Sequence, residues 1–270
     1  MTLKEATDLL KASGIDSAEY DARELMHHFG GVQVLLSSEA DCDAPEFIAA
    51  LERRSNREPL QYIIGEVCFY REDYTVSPDC LIPRSDTEIL VDYAVKNIPE
   101  GEHFADLCCG SGCIGVSTLA NTHGTHCISA DISDGAIKLT EKNAKRNGVA
   151  DRIDIRKCDL LNENIESKSP LFAVLSNPPY VENSAYETLS EEIFHEPKIA
   201  FVGGDDGMIF YERLLPMSLS LIKEEGFIAF EIGYDQAEKI RTLATKNGCT
   251  CEIIKDYSDN DRVAVIRKNI

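Results

Sequence analysis

Asp106-Leu107-Cys108-Cys109-Gly110-Ser111-Gly112-Cys113-Ile114-Gly115 reads as the end of a strand, a glycine-bearing turn and the start of a helix. Glycines let the backbone come close to a ligand, and a helix N-terminus offers N–H groups without partners of their own. A Gly-x-Gly turn by itself would also suit a dinucleotide. Asp106, ahead of the turn, disfavours a pyrophosphate and suits a cationic or amino-bearing ligand, and the acidic balance of this end points the same way.

Outward from that turn, strand and helix patterns alternate from residue 102 onward. The runs 103–108, 126–130, 153–158, 171–176, 226–232, 250–255 and 262–267 are expected strands,. The stretches 114–120, 134–147, 207–223 and 235–246 are expected helices between them. Strand–helix alternation predicts a doubly wound, mostly parallel sheet. Only residues 256–261 separate the last two strands, too few for a crossover helix, so that pair is expected to be antiparallel,. The predicted class is α/β, with a seven-stranded, mostly parallel Rossmann-like sheet carrying one antiparallel strand, plus a small helical N-terminal domain.

That helical domain is expected over 1–58. Thr2 and Glu5 have capping-box spacing, and Leu3, Ala6, Leu9 and Leu10 form one apolar stripe,. Two more helices are expected, one over 17–29 and one bearing Phe47, Ile48 and Leu51. Residues 60–76 change period and read as short strands, Tyr62-Ile63-Ile64 among them, in a hairpin linker expected over 59–84. The third expected unit, 85–270, opens with Ser85 as an N-cap and Glu88 completing a capping box,. Arg84, just outside that helix, has no structural task in the sequence and is expected to face a site.

Three acids close successive strands or precede their turns. Asp131 lies roughly twenty residues beyond the glycine turn, where a carboxylate reaches ribose hydroxyls,. Asp159-Leu160 follows the third strand and offers an acid and an apolar wall to a base. The apolar run Leu171–Leu175 leads into Asn177-Pro178-Pro179-Tyr180. Proline has no N–H, so this stiff bend presents carbonyl acceptors without competing donors. With the Asn177 side chain and the Tyr180 ring, it suits a planar –NH2. The lone pair of such a nitrogen is delocalised, and holding both of its hydrogens would aim that pair at an electrophile. S-adenosylmethionine fits both ends, with a positive sulfonium, a ribose and an electrophilic methyl.

Formal net charge is −20 and no broad basic surface is indicated, which argues against direct nucleic-acid binding,. The ten cysteines show no metal spacing with histidine, so no metal is expected and the thiols read as free in a reducing cytosol,. No signal-like segment or membrane-length run is seen, and a cytoplasmic monomer away from membranes is expected.

On these motifs together the chain resembles the release-factor glutamine methyltransferases of the HemK type, a group of class I S-adenosylmethionine enzymes. The resemblance is carried by Pro59–Gly65, Ile82–Glu88, Asp106–Gly112, Asp131–Ser133, Asn177–Tyr180, Glu196-Pro197, Gly203–Gly207 and Glu231–Gly233. It implies methylation of N5 of the glutamine in a Gly-Gly-Gln loop of peptide chain release factors. Asn177, Pro178, Pro179, Tyr180 and Arg84 would then face the substrate, with Asn177, Pro178 and Tyr180 at the chemistry. Asp106, Cys108, Cys109, Gly110, Ser111, Gly112, Asp131, Asp159, Leu160 and Asn177 would hold the cofactor. The chain departs from the usual pattern at Ser85, Cys108, Cys109 and Leu160. The rival acceptors are a ribosomal-protein glutamine and, further off, a nucleic-acid adenine.

Overall fold

The computed structural model describes residues 1–31 and 41–269, so residues 32–40 of the expected helical domain lie outside the described residues. The chain divides into two compact units, Met1–Glu66 with Ser190–His195, and Val67–Leu189 with Glu196–Ile270.

The first unit contains helices α1 (Leu3–Ala12), α2 (Ala18–Gly30), α3 (Pro45–Ser55) and α4 (Leu60–Ile64). The expected capping box forms: Glu5 N donates to Thr2 Oγ1 at 3.2 Å, and Thr2 N donates to Glu5 Oε2 at 2.7 Å. Leu10, Leu25, Met26, Phe47 and Leu51 are buried together, as the apolar stripes require,. A buried pair joins this unit's helices, with Arg54 Nε donating to Asp21 Oδ2 at 2.7 Å. Tyr62-Ile63-Ile64 is helical, contrary to the strand expected there. Pro59 starts the turn, Gly65 at φ 86° ends it, and Leu60, Tyr62 and Ile63 are all buried, so packing overrides β-branched preference,.

A hairpin, β1 (Glu66–Phe69) and β2 (Glu72–Thr75), opens at the boundary residue Glu66 and lies otherwise in the second unit, followed there by α5 (Glu88–Asn97). One buried side chain ties the hairpin to the glycine turn. Asn143 Oδ1 accepts from Thr75 N at 2.8 Å, and its Nδ2 donates to Thr75 O and to Ser111 O at 3.0 and 2.9 Å. Then follow β3 (His103–Leu107), α6 (Cys113–Ala120), β4 (His126–Asp131), α7 (Asp134–Arg146), β5 (Ile153–Lys157) and β6 (Leu171–Ser176). The chain continues through α8 (Asn183–Tyr186), α9 (Ile209–Leu221), β7 (Ile222–Glu231), α10 (Ala237–Lys246), β8 (Cys249–Lys255) and β9 (Asp261–Lys268).

Seven strands form one sheet in the order β5-β4-β3-β6-β7-β9-β8. All neighbours are parallel except β9, which runs antiparallel to both β7 and β8. The short turn before β9 is fixed by Asp256 Oδ1, which accepts from Ser258 N and Asn260 N, both at 2.9 Å,. Side chains alternate between two cores. Ala105, Leu107, Val174, Ile228 and Phe230 pack with α9 and α10, while Phe104, Ala173, Leu175, Phe227 and Ala229 pack with α5 and α6,. Both faces of the sheet are therefore covered, and β6 is an almost continuous apolar run,. This is a Rossmann-like fold, and β3, β4 and β6 run parallel, so their carboxyl ends and the turns that follow lie along one edge of the sheet,.

Candidate active site

The glycine turn follows β3 with three residues in the left-handed region: Cys108 at φ 58°, Gly110 at 55° and Gly112 at 80°. The left-handed conformation is free for glycine and costly for Cys108. Asp131 Oδ2 accepts from Gly110 N and Oδ1 accepts from Ser133 N, each at 2.9 Å. The spacing Gly110-x-Gly112-x-x-Gly115 is complete, and the third glycine serves close helix–strand packing. A Cβ on Gly115 would stand 3.0 Å from both Asp106 Oδ2 and Ser129 Oγ.

Asp106 is fully buried behind this turn. Its Oδ2 accepts from Gly115 N at 2.9 Å, and its Oδ1 has no partner among the described residues. Burial pushes its carboxyl up to about 7, helped by the nearby Asp131 charge and opposed by the Gly115 N–H,. Asp131 is raised as well, first by burial, against three backbone N–H groups. Burial also holds the Cys108 and Cys109 thiols well above their ordinary value and Cys80 up at about 12, so these thiols stay protonated,.

The proline bend leaves β6 over the same crevice. Ser176 Oγ donates to Leu107 O at 2.5 Å, joining the two strand ends. A second segment clamps the bend from outside: Val181 N donates to Phe201 O and Gly203 N to Val181 O, both at 2.8 Å, and Gln236 Nε2 donates to Tyr180 O at 3.1 Å. Gly203 has to be glycine here, since its Cβ would lie 2.5 Å from Pro179 O and 2.8 Å from Tyr180 Cα. Gly203→Ala is expected to lower unfolding free energy by about 1–3 kcal/mol through backbone overpacking, measured as a shift of the denaturant midpoint. An unshifted midpoint would mean that the bend yields freely.

The segment before α5 corrects the capping-box expectation. Ser85–Thr87 is a short 3-10 turn, the helix starts at Glu88, and no side chain caps it. Arg84, Asp86, Thr87 and Glu88 reach other elements instead. Arg84 pairs with the buried Glu196, whose Oε2 also accepts from Ile82 N at 2.9 Å. Asp86 meets Arg262 at 3.2 Å, and Glu88 Oε1 accepts from Tyr70 N at 2.9 Å. Thr87 Oγ1 donates to Glu231 Oε2 at 2.6 Å and accepts from Asn177 Nδ2 at 3.3 Å.

These pieces enclose a cavity of about 300 Å³, within the range of small-molecule sites. Of the residues singled out in the sequence, Arg84, Cys108, Cys109, Gly110, Ser111, Asp131, Asp159, Leu160, Asn177 and Pro179 line it. Asp106, Gly112, Pro178 and Tyr180 are not among its lining residues. Tyr180 is half-buried, with its hydroxyl 3.5 Å from Glu231 Oε1. Asp159 spends its carboxylate on its own turn, accepting from Leu161 N at 3.1 Å and Asn162 Nδ2 at 2.7 Å. Sequence reasoning missed Cys80, Thr87, Ile132, Ile199, Val202, Ile209 and Phe210, which also line the cavity. The Gly203-Gly204 signal pointed near several of them, but irregular segments such as 197–204 have no period to betray their apolar side. Among the described residues no His, Cys, Asp or Glu cluster forms a metal site, and no helix is long and apolar enough to cross a membrane.

A family model described as "Methyltransferase small domain" matches residues 85–225, and one described as "PrmC N-terminal domain" matches residues 2–65. A release factor glutamine methyltransferase from Clostridium botulinum is 34% identical over 98% of this chain and 98% of its own length. One from Caulobacter vibrioides is 34% identical over 98% and 94%. A ribosomal protein L11 methylase from Lactobacillus delbrueckii superposes with a TM-score of 0.51 at 20% identity, covering 72% of this chain and 84% of the other, a likeness of fold alone.

Proposed function

The chain belongs to the release factor glutamine methyltransferases, and from that membership and the geometry of the bend we propose that it methylates N5 of the glutamine in the Gly-Gly-Gln loop of peptide chain release factors. S-adenosylmethionine, when bound, supplies an electrophilic methyl group on a sulfonium sulfur. The cavity fits this donor. A Cβ on Gly110 would meet only Cys80 Cβ, at 4.0 Å, so open space adjoins the turn. The acidic wall suits a cation, and Asp131 at the end of β4 suits ribose hydroxyls. In this reading the 108–112 turn, Asp131 and Leu160 hold the donor, with Asp106 supporting the turn from behind.

The observation that carries the proposal is the state of Asn177. Its Nδ2 is engaged by Thr87, so its Oδ1 is the atom left to accept a hydrogen bond inside the cavity. Asn177 Oδ1 and the Pro178 carbonyl take the two amide hydrogens, and the nitrogen lone pair is thereby oriented. Tyr180 stiffens the bend from the Glu231 side, and Arg84 stands at the substrate end. The helical unit over 1–58 recognises the release factor, the stretch 59–84, made of α4 and the β1–β2 hairpin with the segment after it, links it, and 85–270 performs the transfer. The protein acts as a cytoplasmic monomer, without direct contact to nucleic acid or membrane.

Incubation with methyl-labelled S-adenosylmethionine should label a folded release factor and leave its loop Gln→Ala variant unlabelled. Label on a ribosomal protein or on nucleic acid instead would refute the assignment.

A further inference from the structure

We propose that Thr87 and Glu231 are positioning residues that set which way round the Asn177 carboxamide stands. An asparagine side chain is close to symmetric in shape but opposite in chemistry at its two ends, since Oδ1 accepts and Nδ2 donates. Turned by half a rotation, Asn177 would present hydrogens to a substrate amide that also presents hydrogens. Sterics alone do not select one orientation. The selection comes from Thr87, whose hydroxyl has a single proton. That proton goes to Glu231 Oε2 at 2.6 Å, so only lone pairs remain to face Asn177,. Nδ2 is the one end of the carboxamide that can satisfy them, and it does so at 3.3 Å. A carboxylate that donates nothing thus fixes a hydroxyl, and the hydroxyl fixes an amide.

The surroundings favour a directional relay. Thr87 and Glu231 are each 2% exposed, so water competes little for the bond between them,. Glu231 is approached by Arg262 from β9, by Asp86 and Thr87 from the turn before α5, by Tyr180 from the bend and by Cys113 from α6. Tyr211 of α9 donates to its main-chain oxygen at 2.8 Å. Burial outweighs Arg262 and the hydrogen bonds, and pushes the Glu231 carboxyl up to about 7. A protonated Glu231 can donate to Thr87, which frees the Thr87 proton to point at Asn177 and removes the bias. Because the shift is upward, the ionised, orienting form is present above about 7 and is lost as pH falls through it,.

The relay rests on the methyl-transfer assignment, and its test separates the two. Wild type, E231Q, T87V and T87S are titrated with S-adenosylhomocysteine and followed through single turnovers with a release factor. E231Q and T87V should transfer about 10²-fold more slowly, the cost of a reacting group misplaced by about an ångström. Their cofactor affinity should be unchanged, and T87S, which keeps the hydroxyl, should stay near the wild-type rate. In the free enzyme, the side-chain NH2 resonances of isotope-labelled Asn177 should titrate near pH 7 in wild type and not in E231Q. Wild-type transfer rates in T87V overturn the relay, as does an Asn177 titration that persists in E231Q and so stems from another group such as Asp106. A wild-type enzyme that leaves the release factor unlabelled refutes the substrate assignment instead, and the resonance titration, needing neither donor nor acceptor, still decides the relay.

Discussion

Asn177→Ala should transfer methyl groups about 10²–10³-fold more slowly than the wild type, the range seen when one preorganised partner of a reacting group is removed. In the proposed arrangement alanine deletes the Asn177 acceptor and leaves the Pro178 carbonyl alone to hold the planar nitrogen. One contact fixes a point but not a plane, so the lone pair loses its aim. The binding of S-adenosylhomocysteine should change little, because the glycine turn, Asp131 and Leu160 are untouched. Single-turnover rates measured beside calorimetric affinities give both quantities. If turnover persists, the bend is merely a strand terminator.

Asp131→Ala should weaken cofactor binding by about 10²-fold, with the transfer step at saturating cofactor much less affected. Hydrogen bonds to a charged acceptor are worth about 1.5–3 kcal/mol each, and every 1.4 kcal/mol is about a factor of ten. Asp131 in addition anchors Gly110 N and Ser133 N, so its loss also unties the turn. Asp159→Ala is the contrasting control. Its carboxylate is already satisfied by Leu161 N and Asn162 Nδ2, and its loss should scarcely alter affinity. Equal losses in the two variants would mean that the ribose position is misassigned.

Much of this architecture was legible because its signals are local and periodic. All seven strands of the large sheet and the four helices expected between them stand where apolar runs and stripes put them. The antiparallel pair followed from the shortness of its connection. What was hidden is non-local. Leu60–Ile64 carries strand-forming residues, yet a proline start and a buried surround make it a helix. Ser85 and Glu88 have the spacing of a cap, but Glu88 is drawn to Tyr70 N in the hairpin and Thr87 to Glu231 in β7. Those partners lie 18 and 144 residues away, and no window along the chain could bring them together. The same holds within the site. Motifs located Asn177, Asp131 and the glycine turn, whereas the apolar side of the cavity at Ile199 and Val202 comes from a segment without repeat or stripe.

Asn143 gives the molecule a mechanical property. One carboxamide grips both Thr75 of the hairpin and Ser111 of the glycine turn. Fraying of the hairpin strips the turn of a buried partner, and disorder in the turn does the same to the hairpin. Openings that would otherwise be two small, independent fluctuations merge into one rarer, cooperative event. The ligand-binding edge is quieter for being lashed to a remote ribbon.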